Sequence, residues 1–444
     1  MTSLSSHPTV QAFQEKQATR LPSSPRVLDA RWLRNLCLEA GADDVGFVEI
    51  EREALADQRD EILTLFPATR TLISLVKRMN REDIRSPARS IANVEFHHTG
   101  DALEGIAHTI VARLEQEGIR ALNPAVGFPM EMEREKSWII SHKPVAVAAG
   151  LGKIGIHRNV IHPRFGNFIL LLTIAMDAQV TAYDQPLDYN PCLECKLCVA
   201  ACPVGAISSD GHFNFSACYN HNYREFHGGF THWVGQITDS KNAADYRKQV
   251  TPAETASWWQ SLSFGANYKA AYCMAVCPAG EDVIGPFLTE RKTFLAEVVK
   301  PLQQKEEPVY VVPGSDAEAH VAKRFPHKTI RPVKNGLSAR SIRGFLFGLP
   351  LTFQREQAAD LHAIYHFTFT GSEACQATVI IKEKTLQVLE GHVEQAGISI
   401  TVDSQTWLNI LSGAKRPLSA LISRKLRVKG DVRLLRAFNR CFPR

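Results

Sequence analysis

The stretch Cys192-Leu-Glu-Cys195-Lys-Leu-Cys198-Val-Ala-Ala-Cys202-Pro203 packs four cysteines within a dozen residues. Nothing else in the chain constrains its fold as tightly. Gaps of two, two and three residues turn the backbone so sharply that three sulfurs face one centre, and the proline redirects the chain after the fourth. A hydrophobic core needs no such spacing, whereas a metal centre does. Cys218, Cys273 and Cys277 follow, and Cys277 is again trailed by a proline, Pro278. Most of the 10 cysteines thus fall between 192 and 277, which points to metal ligation in a reducing compartment rather than to a disulfide scaffold.

The spacing is that of the bacterial ferredoxin run, in which three thiolates hold one [4Fe-4S] cluster and the fourth reaches a second cluster. Cluster one then takes Cys192, Cys195, Cys198 and, from the later Cys-Pro pair, Cys277. Cluster two takes Cys202, Cys218 and Cys273. A complete second run would carry another cysteine three residues before Cys273, but Ala270 stands there, so cluster two is one thiolate short. Three outcomes are open. A fourth iron takes a non-cysteine ligand, with His221, His227 or a water as candidates; the cluster is [3Fe-4S]; or the three cysteines are packed thiols with no second cluster. The alternative for the run itself is a zinc ribbon, although zinc sites rarely need four cysteines this close together. Cys37, Cys375 and Cys441 are isolated and read as core or surface thiols.

A chain of 444 residues exceeds what a single core supports, and its pattern reads as an α+β multidomain protein. Residues 1–26 are expected to be a flexible N-terminus. Residues 27–188 read as an α/β domain with a helix over 28–40, strands over 44–50, 71–76 and 168–176, and a helix over 101–117 capped by Asp101. Residues 189–290 form the ferredoxin-like [4Fe-4S] module, in which Trp233, Trp258 and Trp259 are expected to shield the clusters. Residues 291–335, with Pro308, Pro313, Pro326 and Pro332, read as a linker. Residues 336–444 read as a second α+β unit with strands over 364–370, 377–382 and 398–402 and a helix over 404–411 capped by Ser404. Leu361, Ile364, Phe367, Phe369, Val379, Ile381 and Ile410 are expected to share its core.

No apolar run approaches the roughly 18 residues needed to span a membrane, and the N-terminus lacks an apolar signal core, so the expected location is cytoplasmic. The net charge of +5 is mild for this length and gives no reason to expect nucleic acid. Between Lys415 and Arg444 the only acidic residue is Asp431, which marks a solvated basic face or one that meets an acidic partner or anionic membrane.

The cysteine order, together with Lys143-Pro-Val-Ala-Val-Ala-Ala-Gly-Leu-Gly-Lys-Ile-Gly155, resembles the epoxyqueuosine reductase and reductive dehalogenase superfamily over about residues 30–285. The resemblance implies that the N-terminal domain binds cobalamin and that the clusters relay electrons to it. It places Gly150, Gly152 and Gly155 where the loop approaches the corrinoid. The reductases carry an acidic proton donor just before the corresponding proline, whereas Ile140-Ser-His-Lys-Pro144 has no carboxylate. Epoxyqueuosine is therefore not the expected substrate, and His142, with Lys143 beside it, is the candidate proton donor.

Asp360 to Gly371, Ile398 to Asp403, Leu411-Ser-Gly413 and Leu426-Arg-Val-Lys-Gly-Asp431 resemble the sterol carrier protein type 2 fold. This likeness implies an apolar tunnel for a hydrophobic small molecule, or a docking role. The combined expectation is an iron–sulfur oxidoreductase fed by a ferredoxin- or flavodoxin-type donor or a reductase. The alternative is an electron-transfer or lipid-binding protein without catalysis.

Overall fold

The computed structural model describes residues 4–18, 26–132 and 138–444. Of the segment expected to be flexible, residues 1–3 and 19–25 lie outside the described residues, and Pro8–Ala18 is helical. Among the described residues no helix is long and apolar enough to cross a membrane.

The N-terminal domain is built on helix α1 (Ala30–Glu39), strands β1 (Asp44–Glu49) and β2 (Thr71–Arg78), helices α2 (Arg81–Arg85) and α3 (Arg89–Gln116), strand β3 (Ala121–Leu122), helix α4 (His142–Ala148) and strand β4 (Ile169–Met176). Asp29 caps α1 by accepting the Trp32 N–H at 2.7 Å. The strands form one antiparallel sheet in the order β1-β2-β4-β3, with Phe47 opposite Ile73 and Ile73 opposite Ile174. Both faces are covered, so the strands read as near-continuous apolar runs. Leu33 and Cys37 of α1 and Leu103, Ile110 and Leu114 of α3 pack on Phe47, Leu75 and Leu172. On the other face, Val48, Leu72 and Ala175 meet Ile62, Val145 and Ala148. α3 begins at Arg89 rather than at Asp101, because tertiary bonds hold its first turns: Glu95 accepts the Asn80 N–H at 2.6 Å and Asn93 accepts the Tyr268 N–H at 2.9 Å.

One close approach orients the region around the site. A Cβ on Gly46 would lie 2.2 Å from the Ala149 carbonyl oxygen, so only glycine lets the end of α4 press onto β1. The loop from Gly150 to Gly155 leaves from that point.

In the cysteine module, α5 (Leu197–Ala201) and α6 (Phe215–Asn222) carry Cys198 and Cys218, and α10 (Tyr272–Ala275) carries Cys273. Between Cys218 and Cys273 the helices α7 (Gly228–Asp239), α8 (Ala243–Gln249) and α9 (Pro252–Phe264) form an insertion. Trp233 and Trp258 stack on each other there at 5.0 Å, and Trp259 is exposed. The rings of Trp233 and Trp258 pack the insertion itself, and the Arg224 guanidinium lies 5.4 Å over Trp258.

Residues 291–335 are not a linker. Strand β5 (Pro308–Val311), helix α11 (Asp316–Arg324) and strand β6 (Thr329–Pro332) form a β-α-β unit with a parallel strand pair. Val309, Val311, Val321 and Phe325 share one core with Cys198, Cys202, Ala206 and Ala217. The prolines that suggested a linker sit at element ends: Pro308 opens β5, Pro332 closes β6 and Pro326 follows α11.

The C-terminal domain places α12 (Ile342–Thr352), α13 (Ser404–Leu411), α14 (Pro417–Ile422) and α15 (Arg433–Cys441) around β7 (Ala363–Thr370), β8 (Cys375–Lys382), β9 (Thr385–Glu390), β10 (Ile398–Asp403) and β11 (Leu426–Gly430). The strand order is β9-β8-β7-β10-β11, and only the β7–β10 pair is parallel. Ala363, Tyr365, Phe367 and Phe369 point inward from β7 toward Phe345, Trp407 and Phe438. The expected core residue Ile364 falls on the opposite face, as the period of two along a strand requires. Asp403, not Ser404, caps α13 by accepting the Thr406 N–H at 2.9 Å. This domain docks on α6. Asn220 donates to Asn335 at 3.2 Å and accepts the Gly336 N–H at 2.7 Å, and Arg355 pairs with Asp210.

Candidate iron–sulfur site and its surroundings

The two cysteine runs enter their helices in the same way. Lys196 and Ala271, each two residues before a helical cysteine, take left-handed backbone angles with φ of 53° and 55°. Non-glycine residues rarely adopt that conformation, and it persists where the surroundings dictate it. Here it folds each run back so that its sulfurs face inward.

Cys192, Cys195, Cys198 and Cys277 line a single pocket together with Ile156, His157, Ile161 and Pro278. These are the four residues expected for cluster one. The Ile156 N–H donates to the Cys192 Sγ at 3.4 Å, and the Ala206 N–H to the Cys202 Sγ at 3.3 Å. Such donors to sulfur tune a cluster's potential. Cys202, Cys218 and Cys273 pack in one core behind this pocket, and the charge on each acts on its neighbours.

Burial pushes the Cys273 and Cys277 thiols up to about 12 and raises Cys198, Cys202 and Cys218 as well. Such groups become thiolates only against a strong local positive charge, as a coordinated metal supplies. Among the described residues, no group of three His, Cys, Asp or Glu side chains can hold one metal ion. Four thiols lining one pocket, in the spacing of a ferredoxin run, suit a polynuclear core. The donor set thus fits an iron–sulfur cluster.

At the second site Ala270 is buried, with its N–H bonded to the Asn222 side chain at 3.0 Å. His221 accepts the Tyr310 N–H on Nδ1 at 3.3 Å, its Nε2 is buried without a partner among the described residues, and its charged neighbours are Glu307, Lys269, Lys328 and Lys305. His227, at φ 51°, stacks among Phe128, Phe226 and Tyr219.

Lys143, Cys218, Tyr223, Tyr268 and Cys273 all keep accessible surface, yet the protein around each strips away much of its bulk water. The Cys218 and Cys273 charges act on both Lys143 and Tyr223, so these side chains lie near one another. Aromatic rings surround Tyr223, which contacts Tyr219, Phe226 and Tyr268 with ring centroids 4.9–5.8 Å apart. Lys143 donates to the Arg158 carbonyl and the Asn159 side chain, both at 2.8 Å. Burial lowers its pKa, opposed by the Cys273 and Cys218 charges. Burial raises the Tyr223 phenol well above its ordinary value, and the Cys218 charge adds to this.

One expected role is corrected here. His142 does not stand beside the second site. It is buried, its Nδ1 bonded to the Thr173 hydroxyl and its Nε2 to the Ala125 carbonyl, both at 3.1 Å, and burial holds its pKa down to about 4. With both nitrogens engaged, it serves as a core polar residue between α4 and β4. Gly150, Gly152 and Gly155 are required by the chain's own packing: a Cβ at these positions would lie 2.5 Å from the Gln185 carbonyl oxygen, 2.4 Å from the Ile161 carbonyl oxygen and 2.8 Å from the Ile161 side chain. The loop leads into Ile156 and His157, which line the cluster-one pocket. Tyr223 and Tyr268, which carry no motif, were not legible as neighbours of the second site.

The cysteine cage belongs to a recognised class. Residues 186–208 match the 4Fe-4S binding domain, and residues 352–443 match the SCP-2 sterol transfer family. The chain is thus a mixed α/β multidomain protein with a segment that matches 4Fe-4S binding domains and an SCP-2-like C-terminal domain. Its curated relatives include the epoxyqueuosine reductase of Cellulophaga algicola, 31% identical over 22% of this chain and 32% of that protein. The enzyme of Cyclobacterium marinum is 24% identical over 37% and 52%, and that of Lactococcus garvieae 32% identical over 33% and 34%. The chain spans about half or less of the length of these relatives. Among solved structures, epoxyqueuosine reductase from Bacillus subtilis aligns with 16% identity and a TM-score of 0.36, covering 62% of this chain and 78% of that one. Sterol Carrier Protein 2 Like 2 from Aedes aegypti aligns with 14% identity and a TM-score of 0.18 over 22% and 92%.

Proposed function

We propose that this protein is an iron–sulfur reductase whose substrate binds at the aromatic group beside Cys218 and Cys273. The observation that carries this reading is the adjacency of three elements: a four-cysteine cage, a three-cysteine group that shares a core with Cys198, and Lys143 and Tyr223 close to that second group. A cluster held by Cys192, Cys195, Cys198 and Cys277 would accept single electrons from a donor of the ferredoxin or flavodoxin class, and a two-electron reduction would need two of them. The protons it consumes enter from Tyr223 or Lys143 and are replaced from water. The enclosing rings of Tyr219, Tyr223, Phe226 and Tyr268 limit water around the reacting molecule.

The second site is proposed to hold a [3Fe-4S] cluster, since Ala270 stands at the fourth ligand position and the charges acting on His221 come from Glu307 and lysines rather than from the cysteines. The substrate is proposed to differ from epoxyqueuosine: Ile140–Pro144 offers no carboxylate, and both nitrogens of His142 are taken. The glycines of the loop answer to the chain's own packing, and no step is routed through cobalamin. The C-terminal domain is proposed to take a hydrophobic molecule, as the SCP-2 match suggests.

Anaerobically purified protein tests the proposal. About seven irons per chain support a four-iron and a three-iron site. Corrinoid absorption bands would overturn the cobalamin-free reading. Absence of iron would overturn the whole assignment. Clusters without turnover of any small-molecule acceptor, using a chemically reduced donor, would favour an electron carrier.

A further inference from the structure

Two arginines lie inside the packing around the cysteines with hydrogen-bonding capacity that the protein does not use. Arg85 closes α2. Its guanidinium sits between the Phe168 and Phe294 rings at 5.3 and 5.4 Å, and its side chain is 9% exposed. Nη1 reaches Glu82 at 3.3 Å, whereas Nε and Nη2 are buried without a partner among the described residues. Arg89 opens α3 and lies 5.3 Å over the Tyr272 ring. Its Nη1 donates to the Ile84 and Ser86 carbonyls, and its Nε and Nη2 are likewise buried and unpartnered.

A buried cation is normally paired with an anion, because leaving it alone is costly. The carboxylates in reach serve poorly. Glu82 is 86% exposed, and Glu307 is already held by Lys328 at 2.7 Å and by the Tyr272 hydroxyl at 2.6 Å. The other groups acting on these arginines are the Tyr272 phenol on Arg89, which burial keeps protonated, and the sulfurs of Cys277 on Arg85 and Cys273 on Arg89. α2 packs against α10, which carries Cys273 and leads into Cys277. Arg81 acts on Arg85 as a further cation, and Lys143 lies near Cys218 and Cys273.

We propose that Arg85 and Arg89 are the built-in counter-charges of the two iron–sulfur sites, Arg85 for the Cys277 side of the cage and Arg89 for the Cys202–Cys218–Cys273 site, and that each raises the reduction potential of the cluster it faces. Reduction adds an electron to an already anionic centre. A fixed cation in a poorly screened interior stabilises the reduced form more than the oxidised one. The inference rests on the iron–sulfur reading but fails separately from it.

The test is a redox titration of the whole protein followed by electron paramagnetic resonance, with iron content measured alongside. R85Q is expected to shift the cage cluster to a more negative midpoint, and R89Q to do so at the second site, each with a smaller effect on the other. R85K and R89K are expected to keep the wild-type midpoints. Unchanged midpoints in iron-replete glutamine variants overturn the proposal. Where a glutamine variant loses its iron, the lysine variant decides. Retained iron with the wild-type midpoint supports the charge, and loss of iron from the lysine variant as well shows that the guanidinium is needed only for packing. Absence of iron from the wild-type protein would sink the underlying reading instead.

Discussion

Replacing Ala270 by cysteine tests the second site in the direction of gain. Ala270 lies three residues before Cys273, is 6% exposed, and sits in the turn whose left-handed residue Ala271 starts α10. In the bacterial ferredoxin run that spacing places a sulfur on the same cluster. A270C is therefore expected to complete a fourth corner and to raise the iron content by about one per chain, from about seven to about eight. The same variant should lose the resonance of an oxidised three-iron cluster. If the new thiol fails to ligate, one extra sulfur must fit among packed side chains that include Tyr272 and Phe168, at a cost of about 1–3 kcal/mol. The assay is iron and acid-labile sulfide under anaerobiosis, with thermal unfolding as the companion measurement. An unchanged iron count, with the introduced thiol still reactive toward an alkylating reagent and a lowered melting temperature, would refute the three-thiolate arrangement.

Three further outcomes are expected. Glu225 is buried and accepts from Lys269, Ser261 and Asn267; burial pushes its pKa up, but the Lys269 charge and these bonds outweigh it and hold the carboxyl below its usual value. Its stabilising contribution is therefore complete above the ordinary carboxylate range, about 4.3, and is lost as pH falls through the lower folded value. E225Q should be less stable at pH 7 by about 3–5 kcal/mol and show a flatter acid limb in denaturant titrations; parallel limbs would contradict this. N220A leaves the Gly336 N–H without its acceptor, at about 1–3 kcal/mol, and should speed limited proteolysis around Asn335–Arg340, whereas unchanged cleavage would show that other contacts hold the C-terminal domain. G46V should place a side chain against the Ala149 carbonyl and lower the melting temperature, and a wild-type melting curve would show that α4 can retreat from the sheet.

The cage was the most legible part of the molecule because its chemistry is written in local spacing: Cys192, Cys195 and Cys198 reach one centre through tight turns, and the Pro278 signature pointed to Cys277. The C-terminal strands were legible from alternation, except where Ile364 was assigned to the inward face against the period of two. Residues 291–335 were misread because proline counts do not show where each proline falls, and here they stand at element ends. His142 was overvalued because an intrinsic pKa near neutrality says nothing of burial between α4 and β4. Tyr223, Tyr268, Arg85 and Arg89 carried no readable signal. Their roles arise from contacts between segments far apart in the chain, which neither periodicity nor spacing encodes.

The insertion between Cys218 and Cys273 sets an order of events during biosynthesis. When Cys192, Cys195 and Cys198 have left the ribosome, Cys277 is still to be translated, and the whole of α7–α9 must emerge before it. A nascent chain therefore exposes three thiols with no fourth partner for the time needed to make that insertion. A metal-delivery system that acted early would meet an open half-site, so mature clusters are expected only on chains released past that point.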